Sequence, residues 1–528
     1  MKKAILSALT AYVISPMAFA EEIYTGVEMT KDVEIETTAG YTLRGNLFKP
    51  TVDGQYPVIV TMTPYGKDKK PHYGPKDGII DASEYAAYEA LDPKFWVPNG
   101  YALLVVDTTG MNNSEGQFSL FTNQEARDYY DVIEWAGTQT WSNGAVSTSG
   151  VSYLAMNQWK VAAMNPPHLK AIMPWHGMSN IYRDMMHTGG IEETSFFSYW
   201  YGKIITGNKS AEIPDAVNYQ QNNPIYNDTY AQQVADLSKI TVPAYIAAAW
   251  SDNGLHLNGT VKAFERIASE DKWLEITGRK KWEQYYTWGA QNRMLEFADH
   301  YLKGKDNGWE DTPQFRYELM DSYYLGEEKT AQSFPLPDTT YQKLYISSGK
   351  LTESELGKDK QLTLSSEQPL RFNYTFDKDT EITGKVKAQL FVEATQGNDL
   401  DIFVEVEKLD AEGNKINFPI FGSDDGGFTF GMLRASQREL DEAFSTDAQP
   451  EYTFTNPQYL EKGEVVKLDI ALSPTSVKFK AGETLSMVIS QGDINSKKAQ
   501  HAKTVTQGDI IVYVGGEHSS YLQLPLIK

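Results

Sequence analysis

The pattern of hydrophobic and polar positions changes near residue 330. Before that point, short apolar runs alternate with stretches of helical periodicity. The runs that predict buried strands are residues 57–62, 101–107, 169–174, 244–250 and 272–277, and residues 124–137 predict a helix. Buried strands that alternate with helices are typical of a parallel sheet covered by helices on both faces.

An aromatic-rich segment with helical composition interrupts this alternation between about residues 177 and 238. Its aromatic side chains are Tyr182, Phe196, Phe197, Tyr199, Trp200, Tyr201, Tyr219 and Tyr226. An insertion of this kind between two sheet strands favours a cap over a binding pocket. An ordinary packed helical excursion is the alternative interpretation.

Beyond residue 330 the apolar positions recur with a period of two. Residues 386–394 and 402–406 show this alternation, and residues 466–472, 485–489 and 510–514 add further strands between turns. This pattern predicts an all-β sandwich. The expected domains are therefore an α/β domain from residues 21–176 and 239–329, a helical cap at 177–238 and the sandwich at 330–528.

The first twenty residues have the pattern of a secretory signal peptide. Lys2 and Lys3 are followed by an apolar run at residues 4–14, and Ala18-Phe19-Ala20 fits the small-x-small cleavage pattern. The alternative is a buried N-terminal helix. No later apolar run approaches the roughly twenty residues that a spanning helix needs. We therefore expect a soluble protein, exported to the periplasm or the medium after cleavage near Ala20.

Composition excludes several classes of function. Lys and Arg number 48 against 70 Asp and Glu, which gives a formal charge of -22. A chain with this much negative charge repels phosphate backbones, which argues against a nucleic-acid partner. Cysteine is absent, so disulfides, thiolate metal sites and a cysteine nucleophile are excluded. No motif implies a metal or an organic cofactor, and the chemistry must come from oxygen and nitrogen side chains.

A candidate nucleophile lies in Gly150-Val151-Ser152-Tyr153-Leu154-Ala155, between a short run at 144–149 and an apolar helix at 154–164. A serine on a sharp turn from strand to helix is held exposed above the sheet. The backbone N–H of the next residue, Tyr153, then points into an oxyanion hole. Ala155 stands where this pattern usually has glycine.

A candidate acid follows a later strand. Residues 244–252 form an apolar run that ends in Asp252, and the order serine before aspartate is the one used by hydrolases with this strand–turn–helix motif. The alternative role of Asp252 is to cap the next helix.

Further motifs occur in a fixed order along the chain. They are Thr63-Pro64-Tyr65-Gly66-Lys67, Ser114-Glu115-Gly116-Gln117-Phe118, Gly150-Val151-Ser152-Tyr153, Trp250-Ser251-Asp252, and the segments 302–308 and 519–525. In these motifs and their order, the chain resembles the CocE/NonD hydrolases, which are relatives of cocaine esterase and the X-Pro dipeptidyl-peptidases. The resemblance implies an α/β-hydrolase fold with a helical cap and a C-terminal jelly-roll. It also implies that the Tyr65 hydroxyl is a second oxyanion donor.

The resemblance fails at the general base. The family's base is a histidine just after the strand that follows the acid, and in close relatives we expect it within a Trp-Leu-x-Ile-His-Gly-Arg string. Here residues 273–279 match that string except that Thr277 replaces the histidine. A hydroxyl cannot take a proton from serine near neutral pH, so another imidazole is required for catalysis.

Two other histidines are candidates for the base. His176 ends the strand that follows the nucleophile turn, at the sheet edge where such active sites assemble, and is the first candidate. Its alternative role is to line the pocket. His256 lies four residues beyond Asp252, one helical turn along, and is the second candidate. Its alternative role is to fix the local helix.

The sequence is therefore compatible with two functions. The first is an exported serine hydrolase that cleaves an ester or amide, as an X-Pro dipeptidyl-peptidase or acyl esterase does, through an acyl-enzyme on Ser152. The alternative is a catalytically degenerate hydrolase-fold binding protein that lacks its base. The expected partner is a small-molecule ester or amide or a short peptide. If that substrate carries an ammonium group, the acidic residues Asp184, Glu192 and Glu193 are candidates to meet it.

Overall fold

The computed structural model describes residues 20–71, 80–493 and 503–528. Within them a central α/β sheet is followed by an all-β domain, as the sequence predicts. The predicted signal peptide lies outside the described residues apart from Ala20, so export stays a prediction. In the part of the chain that the structure describes, no helix is long and apolar enough to cross a membrane.

Strands and helices alternate through the first part of the chain. In order they are β1 (Ala20–Tyr24), β2 (Val27–Glu36), β3 (Thr42–Pro50), β4 (Tyr56–Thr63), α1 (Pro93–Trp96), β5 (Ala102–Asp107), α2 (Asn123–Gly137), β6 (Ser142–Val151), α3 (Tyr153–Ala162) and β7 (Leu169–Trp175). The predicted strands at 57–62, 101–107 and 169–174 and the helix at 124–137 coincide with β4, β5, β7 and α2.

The segment between β7 and the next strand of this sheet is irregularly helical. It contains π-helical turns at Tyr182–Met186 and Trp200–Ile205, the short helices α4 (Phe196–Tyr199), α5 (Ala216–Asn222) and α6 (Asp228–Ala231), and 3-10 turns at Thr188–Gly190 and Leu237–Lys239. Its aromatic side chains pack on one another, for example Phe197 stacked on Tyr201 with ring centroids 5.8 Å apart. This segment is the predicted cap.

The α/β sheet then resumes. Its later elements are β8 (Ala244–Ala249), a 3-10 turn at Trp250–Asp252, α7 (Leu257–Arg266), β9 (Lys272–Thr277), α8 (Lys281–Tyr285), α9 (Trp288–Lys303) and a 3-10 turn at Trp309–Asp311. Strand pairing gives the order β1-β2-β3-β5-β4-β6-β7-β8-β9, and β4 to β9 are mutually parallel.

One edge of this sheet differs from the expected parallel arrangement. Strands β1, β2 and β3 pair antiparallel with one another, and β3 pairs antiparallel with β5. β2 and β3 form a hairpin whose turn is closed by the Gly40 N–H donating to the Thr37 carbonyl at 3.0 Å. A hairpin reverses direction within a few residues, whereas a parallel connection needs a crossover.

The C-terminal part consists of strands and short turns. Its strands are β10 (Phe315–Ser322), β11 (Leu325–Ala331), β12 (Thr339–Ile346), β13 (Leu351–Thr352), β14 (Lys360–Leu364), β15 (Leu370–Thr375), β16 (Thr380–Gly384), β17 (Lys387–Gln396), β18 (Asp401–Leu409), β19 (Lys415–Ile416), β20 (Phe418–Ile420), β21 (Ser423–Gly426), β22 (Thr429–Arg434), β23 (Val466–Ala471), β24 (Thr475–Phe479), β25 (Thr484–Ser490), β26 (Gln507–Val514) and β27 (Tyr521–Ile527). The 3-10 turns are Ala435–Gln437 and Gly516–His518.

These strands connect to the α/β sheet and also form separate sheets. β10 pairs parallel with β9, so the α/β sheet continues into this region. A second, antiparallel sheet contains β15, β25, β18 and β19, with β22 on β18, and β20 and β21 form a separate hairpin. The β20–β21 hairpin reaches back to the α/β domain, because the Phe421 N–H donates to the carbonyl of Asn253, just beyond β8.

Candidate active site

Ser152 lies on a sharp turn between β6 and α3. Its φ of 62° and ψ of -119° are unusual for a residue with a side chain. The turn is held by the Ser152 N–H, which donates to the Trp175 carbonyl at 3.0 Å. At Gly150 a Cβ would lie 2.4 Å from the Leu154 Cβ, so only glycine fits there. The turn therefore presents the Ser152 hydroxyl at the carboxyl edge of the sheet.

The alanine that departs from the usual pattern is accommodated by a neighbouring glycine. A Cβ built on Gly177 would lie 2.8 Å from the Ala155 Cβ, which real side chains do not tolerate. Because position 177 carries no side chain, the Ala155 methyl fits where α3 passes the end of β7. The substitution at 155 therefore leaves the turn intact.

His256 connects Ser152 to Asp252 through two hydrogen bonds. The His256 Nε2 lies 3.0 Å from the Ser152 Oγ, and the His256 Nδ1 lies 2.7 Å from the Asp252 Oδ2. Asp252 ends the 3-10 turn after β8, and His256 immediately precedes α7. The four-residue spacing therefore places the two side chains beside each other, with the imidazole between carboxylate and hydroxyl. Both side chains are almost fully buried.

Burial and neighbouring charges together set the protonation states of His256 and Asp252. Burial lowers the pKa of His256 to about 4, although the neighbouring Asp252 counteracts that effect. Burial alone would raise the pKa of Asp252, but His256, His176 and Lys281 hold it well below its usual range. At neutral pH the pair is therefore a neutral imidazole against an ionised carboxylate. The carboxylate keeps the imidazole proton on Nδ1, which leaves Nε2 as an acceptor for the Ser152 hydroxyl.

His176, the first sequence candidate for the base, is not brought to Ser152. It follows β7 with φ 54°, and its Nδ1 lies 3.5 Å from the Asp252 Oδ2. Its ring nitrogens make no hydrogen bond to any described residue. Burial lowers the pKa of His176, so its ring is neutral. Both imidazoles therefore approach the same Asp252 oxygen, but of the two only His256 contacts the Ser152 hydroxyl.

Thr277 lies at the end of β9 and takes no part in this chain of hydrogen bonds. Its Oγ1 is buried and has no hydrogen-bond partner among the described residues. The position that the family resemblance assigned to the base therefore carries a side chain that is inert in this structure.

Two residues near Ser152 are candidate oxyanion donors, Tyr65 in the same cavity wall and Tyr153 next in the chain. The Trp200 Nε1 of the cap donates to the Tyr65 Oη at 3.0 Å, which leaves the Tyr65 proton free to point elsewhere. Burial raises the pKa of Tyr65 well above its usual value, so the hydroxyl keeps that proton. Tyr153 is the first residue of α3, and N–H groups in the first turn of a helix have no partner within it. Its side chain points away and donates to Glu125 at 2.7 Å.

A cavity of about 240 Å³ opens in front of Ser152. Its walls are mostly apolar and come from the α/β domain, the cap and the β20–β21 hairpin: Tyr65, Lys69, Tyr88, Glu89, Ser152, Met156, Met178, Met185, Phe196, Tyr199, Trp200, Ile204, His256, Lys281, Trp282 and Phe421. Phe421 from the hairpin packs edge-on against Phe196 of the cap with ring centroids 4.7 Å apart. The cavity is therefore closed jointly by three parts of the chain.

Sequence reasoning missed the charged residues of this cavity. Lys281, Lys69 and Glu89 come from loops or helix starts that carry no recognisable motif. The one available signal was that Lys281 follows closely after Thr277, at the carboxyl edge of the sheet where ligands of such folds bind. Within the described residues, no group of three or more His, Cys, Asp or Glu side chains is arranged to hold a metal ion.

Comparison with known proteins assigns the family. Residues 39–238 match the X-Pro dipeptidyl-peptidase (S15) family, and residues 307–523 match the X-Pro dipeptidyl-peptidase C-terminal non-catalytic domain. The crystal structure of a CocE/NonD family hydrolase from Staphylococcus aureus superposes with a TM-score of 0.92 at 40% identity, over 95% of this chain and 94% of that one. The chain belongs to the CocE/NonD hydrolase family.

More distant relatives also match over nearly the whole chain. Cocaine esterase from Rhodococcus sp. (strain MB1 Bresler) is 23% identical over 95% of this chain and 99% of its own length. An α-amino acid ester hydrolase has the same fold, with a TM-score of 0.73 at 16% identity over 99% of this chain and all of that one. A CocE/NonD hydrolase with an α/β domain, a cap and a C-terminal β domain is thus established.

Proposed function

We propose that this chain is a serine hydrolase that cleaves an ester or an amide through an acyl-enzyme on Ser152. The observation that carries the proposal is the unbroken hydrogen-bonded chain from the Ser152 hydroxyl through His256 to Asp252. In this proposal His256 is the general base, in place of the histidine that the family resemblance leads us to expect at Thr277. Asp252 orients His256 and stabilises the imidazolium that forms during the reaction.

The proposed steps follow from that geometry. The His256 Nε2 takes the proton from the Ser152 Oγ as the oxygen attacks the substrate carbonyl carbon. The negative charge that develops on the carbonyl oxygen is stabilised by the Tyr65 hydroxyl and the Tyr153 N–H. The imidazolium then protonates the leaving alcohol or amine as its bond to the acyl carbon breaks. Water, activated by the same imidazole, hydrolyses the acyl-enzyme and restores Ser152.

The alternative of a binding protein without turnover has lost its main support. It rested on Thr277, which suggested that no base was available. An imidazole nitrogen 3.0 Å from the Ser152 Oγ is within the distance that general-base catalysis requires. The relatives' names, cocaine esterase and Xaa-Pro dipeptidyl-peptidase, indicate esters and peptides as the substrate range to test first.

A fluorophosphonate probe is expected to label the protein on Ser152, since a serine activated by an imidazole attacks phosphorus as it attacks a carbonyl. Mass spectrometry of the labelled protein should locate the adduct on the peptide that contains Ser152. Ser152→Ala should abolish labelling, whereas Ser149→Ala, at a buried serine of β6, should retain it. Absence of labelling in the native protein at neutral and alkaline pH would refute the proposed function.

Ester hydrolysis is expected to persist to lower pH than a histidine of ordinary pKa allows. Only neutral His256 accepts the serine proton, and burial lowers the pKa of His256 to about 4. The acidic limb of kcat/KM should therefore have its midpoint well below 6.5, since that parameter reports ionisations of the free enzyme. The rate should fall as the pH falls through this midpoint.

Two controls accompany the pH profile. Tryptophan fluorescence at each pH separates titration of the site from acid unfolding. Glu89→Gln removes a second titrating group from the cavity, because burial raises the pKa of Glu89 to about 7. An acidic limb centred at or above pH 6.5 in both proteins would contradict the assignment of His256 as the base.

A further inference from the structure

Lys281 is a buried cation that lines the reactive cavity. The residue is 8% exposed and begins α8, just beyond the end of β9. Its Nζ lies over the Trp282 ring, 4.5 Å from the ring centroid. Within the described part of the chain, its side chain forms neither a hydrogen bond nor a salt bridge. Burying an ammonium group without a salt-bridge partner is costly, and an anionic group on a ligand would offset that cost.

Glu89 offsets this charge only in part. Its Oε1 accepts a hydrogen bond from the Trp282 Nε1 at 2.8 Å, and its backbone carbonyl accepts from the Val151 N–H beside the nucleophile. Burial raises the pKa of Glu89 to about 7, although Lys281 counteracts that effect. The Glu89 carboxyl is therefore incompletely ionised near neutral pH, and it offsets the charge of Lys281 only in part.

A second lysine adds positive charge at the mouth of the cavity. The Lys69 Nζ lies 4.9 Å from the centroid of the Tyr88 ring and 5.5 Å from that of Tyr65. Glu89 is the one carboxylate among the described residues that line the cavity, against these two lysines. Asp252 does not line the cavity, where His256 stands in front of it; Lys281 helps to hold the pKa of that carboxyl low, but the two side chains form no salt bridge among the described residues.

The acidic residues that the sequence offered for binding an ammonium group are occupied elsewhere. The Asp184 carboxylate accepts the backbone N–H groups of Ser179 and Asn180, and Glu193 accepts those at the start of α4. Glu192 lies 3.7 Å from the Lys503 Nζ. None of these carboxylates lines the cavity. The charge that a substrate meets there is therefore positive rather than negative.

We propose that the cavity selects esters or amides that carry a carboxylate group, which pairs with Lys281 and, at the mouth, with Lys69. This inference rests on the proposed function, because it assigns the substrate class of the same site. The apolar walls hold the chain that joins the carboxylate to the scissile carbonyl. Substrates with an ammonium group are disfavoured by the same two lysines, in contrast to a site built for a peptide amino terminus.

Equilibrium binding to Ser152→Ala protein tests the charge preference without requiring turnover. The probes are phenyl esters of succinic, adipic and suberic acid, each with one free carboxylate, and each is compared by calorimetry with its neutral methyl ester. A phenyl 6-(trimethylammonio)hexanoate probe supplies the opposite charge. At least one carboxylate probe should bind about 10-fold more tightly than its methyl ester. The cationic probe should bind more weakly than that carboxylate probe and more weakly than its methyl ester.

Variants then assign the preference to Lys281. In the Ser152→Ala background, Lys281→Met should reduce the ratio of carboxylate to methyl-ester affinity by about 10-fold, and Lys281→Arg should restore most of it. Lys170→Met is the matched control. This exposed lysine lies at the start of β7, whereas the site lies beyond the other end of that strand, so the ratio should stay unchanged. The ratio is the readout, because a general loss of structure would weaken both esters alike.

Two results would overturn the inference. One is equal affinity for the charged and neutral esters at every chain length, and the other is tighter binding of the cationic probe, which would make Glu89 the anchor. Hydrolysis of the neutral p-nitrophenyl hexanoate by the unmodified protein is measured in parallel. If that ester is cleaved but no charge preference is found, the substrate class is wrong and the serine mechanism stands. If neither this ester nor any of the carboxylate esters is cleaved by the unmodified protein, the serine mechanism fails independently of the binding result.

Discussion

Replacing His256 with alanine is expected to lower kcat/KM for p-nitrophenyl esters by about 10⁴-fold or more. The His256 Nε2 is the imidazole nitrogen that contacts the Ser152 Oγ, at 3.0 Å. Without it the hydroxyl has no acceptor for its proton, and what remains is the contribution of the oxyanion donors and of substrate binding. Initial rates over a range of substrate concentrations give the change in kcat and KM separately. We expect most of the loss in kcat.

Chemical rescue distinguishes a lost base from a damaged fold. The alanine variant leaves a space of imidazole size between Ser152 and Asp252, so added imidazole should recover part of the rate. A misfolded protein would not respond. Circular dichroism of the variant provides the second check.

His176→Ala is the matched comparison. The His176 Nδ1 is 3.5 Å from the Asp252 Oδ2 and its ring does not contact Ser152. Removing it takes away one of the groups that hold the pKa of Asp252 low, but it leaves the His256 chain intact. We expect kcat/KM to fall by about 10-fold or less, which is much smaller than the effect of removing a group that takes part in the reaction. A loss of about 10⁴-fold in this variant, together with an active His256→Ala protein, would make His176 the base.

The sequence predicted the nucleophile and the acid because each is signalled locally. Ser152 follows a strand and precedes an apolar helix, and the turn between them requires glycine at position 150, since a Cβ there would meet Leu154. Asp252 comes three residues after β8, an apolar strand that is buried along its whole length. Both features require only neighbouring residues, so they could be recognised without knowledge of the tertiary structure.

The base could not be chosen from the sequence with the same certainty. His176 and His256 both lie at the carboxyl edge of the sheet, and the fold alone allows either to approach Ser152. The choice depends on the path of residues 253–255, which turns the His256 ring towards the hydroxyl. The spacing of four residues between Asp252 and His256 was the available signal, together with the absence of histidine at 277.

The cavity itself was outside the reach of sequence reasoning. Phe421 comes from a hairpin of the β domain, Trp200 from the cap, and Glu89 from the segment before α1. Contacts between such distant segments depend on how the domains dock, and no local periodicity encodes that docking. The sandwich was predicted as a domain, but its contribution to the wall of the reactive cavity was not.

Replacing Tyr65 with phenylalanine is expected to lower kcat by about 10²- to 10³-fold, with a smaller effect on KM. The Tyr65 oxygen already accepts a hydrogen bond from the Trp200 Nε1 at 3.0 Å, so its own proton is directed elsewhere, and Ser152 lies beside it in the cavity. Burial keeps that proton in place by raising the pKa of Tyr65. A donor of fixed orientation stabilises the oxyanion more than the ground-state carbonyl, so its loss lowers kcat.

Trp200→Phe tests the orientation of that donor separately from its presence. This variant keeps the Tyr65 hydroxyl but removes the hydrogen bond that fixes it, so we expect a loss in kcat intermediate between the native protein and Tyr65→Phe. Tyr130→Phe, on the half-buried face of α2, makes the same chemical change away from the cavity and serves as the control. If Tyr65→Phe raised KM while kcat stayed constant, Tyr65 would bind the substrate without acting on the oxyanion. The Tyr153 N–H would then be the one donor that we have assigned to the oxyanion, and the proposed mechanism would need another.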